Sequence, residues 1–286
     1  FGDSQHLNGK MKEGNMKQVK TILLTGASSG IGLEMARMLA ARGHRLILVS
    51  RSADKLETIA DELRRQHSTE VYIYPIDLSW PQAAENLFAF SEEKNFQIDV
   101  LINNAGFGIL EEHVEISPAR LRQMLQLNVV TVAELCQIYG AQMKRRRSGT
   151  ILNVASTAAF QATPYFAAYG ASKAFVLNLS EALAKELEDF GVQVSCLAPG
   201  PTDTAFFNEI PAQRIAGDHY FQKASRTDVR AVASAGVDLV EQGGMTTVVG
   251  LANRIMILGN RFVPRSLVAS ISKRMLKPVD MKTRTP

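Results

Sequence analysis

The chain has 286 residues, of which 46% are hydrophobic and 21% charged, and a formal net charge of +4. That is the balance of a folded globular protein with ample length for a large core, and it excludes a disordered or collagen-like chain. No apolar run reaches the ~18–20 residues of a membrane-spanning helix, the mild basicity does not by itself imply nucleic acid, and Cys136 and Cys196 lack the spacing of a metal site or redox pair.

Residues 1–18 are polar and without hydrophobic period. They are expected to be a disordered tail, or an extension ahead of a native start at Met11 or Met16. With no signal-peptide core there, a cytoplasmic setting is expected. Order is expected from Val19. Lys20–Thr25 reads as a buried strand, and Leu33–Arg42 as a helix ending at Gly43. Arg45–Ser50 is a second strand, Ala53–Gln66 a charged amphipathic helix, and Val71–Ile76 a third strand. Pro81–Lys94 predicts a helix, Val100–Asn103 a strand, and Pro118–Arg146 one long helix. Thr150–Val154 is a fifth strand, Tyr165–Phe190 a long helix stopped at Gly191, and Val192–Ala198 a sixth strand. Strands alternating with helices of this length predict parallel βαβ units. Apolar residues throughout the strands predict a sheet covered on both faces. The expected fold is a single α/β domain, 19–286: a Rossmann-type doubly wound parallel sheet in three α/β/α layers.

Between the first strand and first helix lies Thr25-Gly26-Ala27-Ser28-Ser29-Gly30-Ile31-Gly32. Its glycines permit a tight turn and close approach of backbone N–H groups to a pyrophosphate. The helix N-terminus behind it adds donors and a favourable dipole. This context points to dinucleotide binding through Gly26, Ser28, Ser29, Gly30, Ile31 and Gly32. The second strand ends Ser50-Arg51-Ser52, with no acid before Asp54. A carboxylate at that strand end accepts a ribose 2′-OH, whereas a guanidinium pairs with a 2′-phosphate. Arg51 therefore selects NADP(H) over NAD(H).

The spacing T-G-x-x-x-G-x-G, rather than G-x-G-x-x-G, resembles that of the short-chain dehydrogenase/reductase family. Separate motifs continue the resemblance in order over about residues 19–205. It implies an oxidoreductase moving a hydride between NADP(H) and a carbonyl or alcohol carbon. Asp77-Leu78 is similar to the family's adenine contact, though Asp77 could instead cap the next helix. Asn103-Asn104-Ala105-Gly106 matches its N-N-A-G signature, with Asn104, Ala105 and Gly106 beside the cofactor and Asn103 holding the sheet. Pro199-Gly200-Pro201-Thr202 resembles its P-G motif beside the nicotinamide, implying cofactor contacts from Pro199, Gly200 and Thr202.

The resemblance further implies a catalytic tetrad of Asn128, Ser156, Tyr169 and Lys173. Tyr169 and Lys173 stand at i and i+4, on one helix face. The lysine's charge is expected to lower the tyrosine's pKa and to hold the nicotinamide ribose, so that both residues also touch the cofactor. Ser156 would hydrogen-bond the substrate oxygen, and Asn128 would hold a water linking Lys173 to solvent. No metal is expected. Residues 203–245, including Phe206 and Phe207, are expected to form the substrate loop and its helices, with Phe107, Phe160 and Phe166 at the pocket edge and a partly apolar substrate. A 3-oxoacyl-thioester reductase, a steroid-type dehydrogenase and a non-catalytic NADP(H)-binding module stay open as alternatives. The family also implies a homodimer or homotetramer.

Residues 246–286 read as a basic helical segment, with Leu267, Val268, Ile271 and Met275 on one face. Packing of that face on the domain or a second subunit is favoured over peripheral membrane contact. Lys144-Arg145-Arg146-Arg147 ends a helix, where cations complement the dipole; that reading is favoured over a nucleic-acid patch.

Overall fold

The computed structural model describes residues 18–202, 204 and 226–277. The N-terminal tail and Phe206, Phe207 and their neighbours lie outside the described residues, as does the end of the chain.

The strands are β1 (Thr21–Thr25), β2 (Arg45–Ser50), β3 (Val71–Pro75), β4 (Val100–Asn103), β5 (Gly149–Val154), β6 (Val192–Ala198) and β7 (Thr246–Val248). The helices are α1 (Gly30–Ala40), α2 (Ala53–His67), α3 (Ala83–Glu93), α4 (Pro118–Leu125), α5 (Thr131–Arg146), α6 (Ala167–Leu187), α7 (Val229–Gln242), α8 (Leu251–Gly259) and α9 (Arg265–Leu276). Every pairing is parallel, in the order β3-β2-β1-β4-β5-β6-β7. The order reverses between β1 and β4, and a crevice opens there at the strands' carboxyl ends.

Side chains alternate between two buried faces. Ile22, Leu24, Leu46, Leu48 and Ile102 join one core with Met35 and Leu39 of α1, Leu56 and Leu63 of α2, and Val232 and Val237 of α7. Leu23, Ile47, Val49 and Leu101 join the other with Leu87 of α3, Leu135 and Tyr139 of α5, and Val176 of α6. Each fully buried Leu or Ile contributes about 1.5–3 kcal/mol, so the central strands of the crevice stand on a dense, rigid base.

The fold is the expected three-layer Rossmann-type sheet, with four local differences. Pro118–Arg146 is helical throughout, as expected, but carries a π turn at Gln126–Val130 between α4 and α5. α3 begins at Ala83, not Pro81, because Gln82 adopts a left-handed backbone before it. The span 203–245 contains α7, which packs its Val232, Val237 and Val240 into the core rather than bordering the crevice. The segment from 246 opens with β7, hydrogen-bonded along β6. Cations close the last turn of α5, as expected, and three of the four find partners in the fold. Arg146 donates to the carbonyls of Ser148 and Ile98, Arg147 to that of Asp189, and Lys144 lies 4.1 Å above the Phe190 ring.

Candidate active site

The crevice holds one continuous cavity of about 1130 Å³. At its nucleotide end the β1–α1 turn is tied to the sheet by Gly26 N–H donating to the Val49 carbonyl at 2.8 Å. Gly26 has φ +67, where a side chain is strained, and a Cβ there would lie 2.7 Å from Asn104 Nδ2. Ser28, Ser29, Gly30 and Ile31 line the cavity at the N-terminus of α1, whose first turn carries no acid. Its positive dipole end is therefore presented to any anion in the cavity. Gly32 does not line the cavity. It is the close-packing position of the turn, because a Cβ there would meet the Gly26 carbonyl oxygen and Asn104 Nδ2.

At the end of β2, Arg51 lines the cavity with Ser50 and Ser52. Lys55, one turn into α2, stands there too. Sequence reasoning missed Lys55, because a lysine in a charged amphipathic helix reads as a solvated face. Asp77 and Leu78 border the same end. The Asp77 carboxylate accepts from Ser79 N–H at 2.9 Å and from Ser79 Oγ at 2.7 Å. It thus shapes its own turn, while the residue capping α3 is Gln82.

Asn104, Ala105 and Gly106 follow β4 along the wall. Asn104 Nδ2 donates to the carbonyls of Thr25 and Gly26 at 3.0 and 3.2 Å, and so clamps the glycine turn. Thr25 answers from the other side. Its Oγ1 accepts the N–H groups of Asn104 and Ala105, both at 3.0 Å, and donates to the Ile102 carbonyl. Thr25 was legible as the strand's last residue and the head of the glycine motif, but not as this clamp, since the bonds that distinguish it cross between strands. Asn103 holds the sheet as expected, donating to Asn153 Oδ1 at 2.8 Å.

Ser156, Tyr169 and Lys173 meet beyond β5. Tyr169 and Lys173 project from the first turns of α6, and Ser156 caps the short 3-10 turn Thr157–Phe160, accepting from Ala158 N–H at 3.1 Å. Lys173 Nζ donates to the Val154 carbonyl at 2.8 Å and lies 5.9 Å from the centroid of the Tyr169 ring. Burial pushes Tyr169 up to about 12, and its hydrogen bond with Ser156 opposes the shift. Burial also pushes Lys173 down to about 8, opposed by the nearby Cys196. Desolvation is the largest cause at both groups, so Tyr169 is raised where a lowering was expected, and it keeps its proton at neutral pH.

Asn128 is fully buried within the π turn and does not line the cavity. Its Nδ2 donates to the Phe107 carbonyl at 2.9 Å and to Ser172 Oγ at 3.1 Å, and its Oδ1 accepts from Phe107 N–H. Ser172 Oγ in turn donates to the Tyr169 carbonyl at 2.7 Å. The π turn thus feeds one buried amide into both the β4 loop and α6. π turns often mark functional positions.

Pro199, Gly200 and Thr202 close the wall after β6, with Thr202 Oγ1 donating to the Gly200 carbonyl at 2.9 Å. The far end is more apolar. Phe107 and Phe166 border it, whereas Phe160 packs against the second core. The Phe166 ring stacks on Tyr169 at 4.3 Å. Met256 of α8 and Val268, Ile271, Met275 and Leu276 of α9 complete this wall. Leu276 joins the cluster that contains Tyr169, Phe166 and Met124.

The family model described as short chain dehydrogenase matches residues 20–215, a span that includes the glycine turn, Ser156, Tyr169 and Lys173. The chain belongs to this family. An uncharacterized oxidoreductase of Staphylococcus saprophyticus is 29% identical over 225 residues, covering 79% of this chain and 92% of that protein. The 17-beta-hydroxysteroid dehydrogenase type 3 of Mus musculus is 33% identical over 181 residues, covering 62% of this chain and 58% of the mouse protein. The match therefore spans less than two thirds of the steroid enzyme's length. A solved structure described as a short-chain dehydrogenase from Sphingobium yanoikuyae in complex with NADPH superposes with a TM-score of 0.75 at 28% identity. That superposition covers 85% of this chain and 94% of the other. Among the described residues, no helix is long and apolar enough to cross a membrane and no cluster of side chains could hold a metal ion.

Proposed function

We propose that this short-chain dehydrogenase is an NADP(H)-dependent carbonyl reductase or alcohol dehydrogenase for a small, partly apolar substrate. One observation carries the reading: Ser156, Tyr169 and Lys173 share a single cavity with the β1–α1 turn and Arg51. The donor set suits an anionic dinucleotide. The acid-free start of α1 faces the pyrophosphate position, and Arg51 and Lys55 present two cations where a 2′-phosphate would extend. The Sphingobium relative, described as an NADPH complex, supports the same cofactor. When bound, NADPH supplies the hydride.

The chain's own residues handle orientation and the proton. Ser156 holds the carbonyl oxygen by a hydrogen bond and stabilises charge that develops there. Tyr169 Oη, protonated in the free enzyme, delivers its proton to that oxygen. Lys173, fixed on the Val154 carbonyl, keeps a positive charge beside the tyrosine and the ribose position. Asn128 supports this group from behind through Phe107 and Ser172. The remaining sequence-derived contacts, from Asp77 through Thr202, border the same cavity and are assigned to the cofactor. The apolar far wall suits a ketone with a hydrocarbon body, a class that includes the steroids named for the mouse relative.

The test is NADPH consumption against ketosteroids, 3-oxoacyl thioesters, diketones and aldehydes, with Tyr169→Phe as control. The proposal expects turnover of at least one class and a loss of about 1000-fold or more in the variant. Equal turnover in the variant refutes the proton-donor role.

A further inference from the structure

Two helices near the end of the described residues, α8 and α9, carry apolar residues on their outer faces. Each sends only one edge inward: Ile257 from α8, and Val268, Ser272 and Leu276 from α9. Their outer stripes are apolar and face solvent. Leu251, Ile255 and Leu258 recur at helical spacing on α8, and Phe262 follows in the turn at 82% exposure. Leu267, Ile271 and Met275 repeat every four residues on α9. A monomer exposes single hydrophobic side chains as a matter of course, but a contiguous apolar stripe marks an interaction surface.

Charge indicates the partner. From Leu251 to Lys277 there are six cations, Arg254, Arg261, Arg265, Lys273, Arg274 and Lys277, and no acid. On α9, Arg274 falls beside the apolar stripe at about 100° per residue, and Lys277 follows directly after the helix. Apolar stripes flanked by cations alone, on helices too short to span a bilayer, have the composition of an element that lies in an anionic membrane interface. The same surface adjoins the catalytic cavity. Ile271 and Met275 line the cavity and are also exposed, so the cavity reaches the surface at this face.

We infer that α8 and α9 form a monotopic membrane-docking surface for anionic lipid, with the active-site cavity opening towards the bilayer. An apolar ketone would then enter from the lipid phase. Of the face expected to pack on the domain or on a second subunit, Val268 is buried in the chain, whereas Leu267, Ile271 and Met275 are exposed. Docking itself does not depend on the proposed reaction, because it is measured without turnover.

The experiment is sedimentation of the full chain with vesicles of phosphatidylcholine alone and of phosphatidylcholine containing about one third phosphatidylglycerol. It is paired with the double variant Ile255→Ser, Phe262→Ser, whose positions are exposed and outside the cavity. Circular dichroism and NADPH affinity establish that the variant folds. The expected result is binding to the anionic vesicles, reduced about tenfold or more by the double substitution and weakened by about 0.5 M salt. Equal partition of wild type and variant, or none by either, overturns the inference. So does a wild-type dimer that the substitutions convert to monomer without any vesicle binding, since the face is then a subunit interface.

Discussion

Gly108→Ala should separate catalytic positioning from cofactor binding. A Cβ at position 108 would lie 2.5 Å from Phe166 Cζ, 2.7 Å from Phe166 Cε2 and 3.1 Å from Tyr169 Cδ2. Carbon atoms pack best about 3.5–4.0 Å apart, so Phe166 must retreat by about 1 Å. It has little room to do so. Phe166 is buried, stacked on Tyr169 and enclosed with Ile109, Leu110, Met124 and Leu276. The displacement therefore passes to Tyr169. Overpacking of this kind costs about 1–3 kcal/mol of stability, while a ~1 Å misplacement at the reacting centre costs about 100-fold in rate. Gly108 does not have a positive φ, so alanine introduces steric bulk rather than backbone strain. Steady-state reduction with saturating NADPH should show kcat lowered about 100-fold. NADPH affinity by fluorescence titration should stay within about twofold, since the nucleotide end of the cavity is untouched. Phe166→Leu in the Gly108→Ala background should restore part of kcat. A folded Gly108→Ala protein with unchanged kcat would refute the idea that the Phe166–Tyr169 stack fixes the proton donor.

Further outcomes follow from the charges of the site. Arg51→Glu should weaken NADPH by about 100-fold or more and NADH by less than about threefold, measured by fluorescence titration, because the substitution removes a phosphate partner and adds repulsion. Equal weakening of both cofactors removes the 2′-phosphate assignment. The pH dependence has a defined sign. Lys173, pushed down to about 8, is charged below that pH and neutral above it, whereas Tyr169, pushed up to about 12, stays protonated on both sides. The kcat/KM for carbonyl reduction, which reports free-enzyme groups, should therefore be full near neutrality and fall as pH rises through about 8. Lys173→Arg should move that fall upward, and a profile flat to about pH 10 would contradict the assignment.

Much of the architecture could be read from the chain because local and global signals agree. The apolar runs at Thr21–Thr25, Arg45–Ser50 and Val192–Ala198 are strands and nothing else by length and flanking turns. The cavity gathers nearly every predicted site residue, since the motifs that carry them sit at strand ends that a doubly wound sheet brings together. What escaped was imposed by tertiary contacts. Nothing in Gln126–Val130 breaks a helical pattern; the π turn exists because Asn128 must reach Phe107 and Ser172 at once. β7 is three half-buried residues after two glycines, too short for a periodic signal. α7 lies in a span expected to hold helices, but its bounds were not read, although Val232, Val237 and Val240 repeat at helical spacing. The Tyr169–Lys173 spacing gave the shared face correctly, but not the depth of burial that sets both pKa directions. On α9 the sequence showed the apolar stripe without showing how much of it remains in solvent.

The central claim, hydride transfer from NADPH at this cavity, is tested most directly with NADPH deuterated at the nicotinamide C4. The carbonyl substrate would be the one best turned over by the wild-type protein, or the broadest ketone panel if turnover is slow, with the product analysed by mass spectrometry. The account predicts deuterium on the former carbonyl carbon, delivered from one face of the ring only, and none with Tyr169→Phe over the same interval. NADPH binding at ordinary affinity with no deuterium transferred to any ketone would contradict it, and would make the cavity a nucleotide-binding site without the reaction.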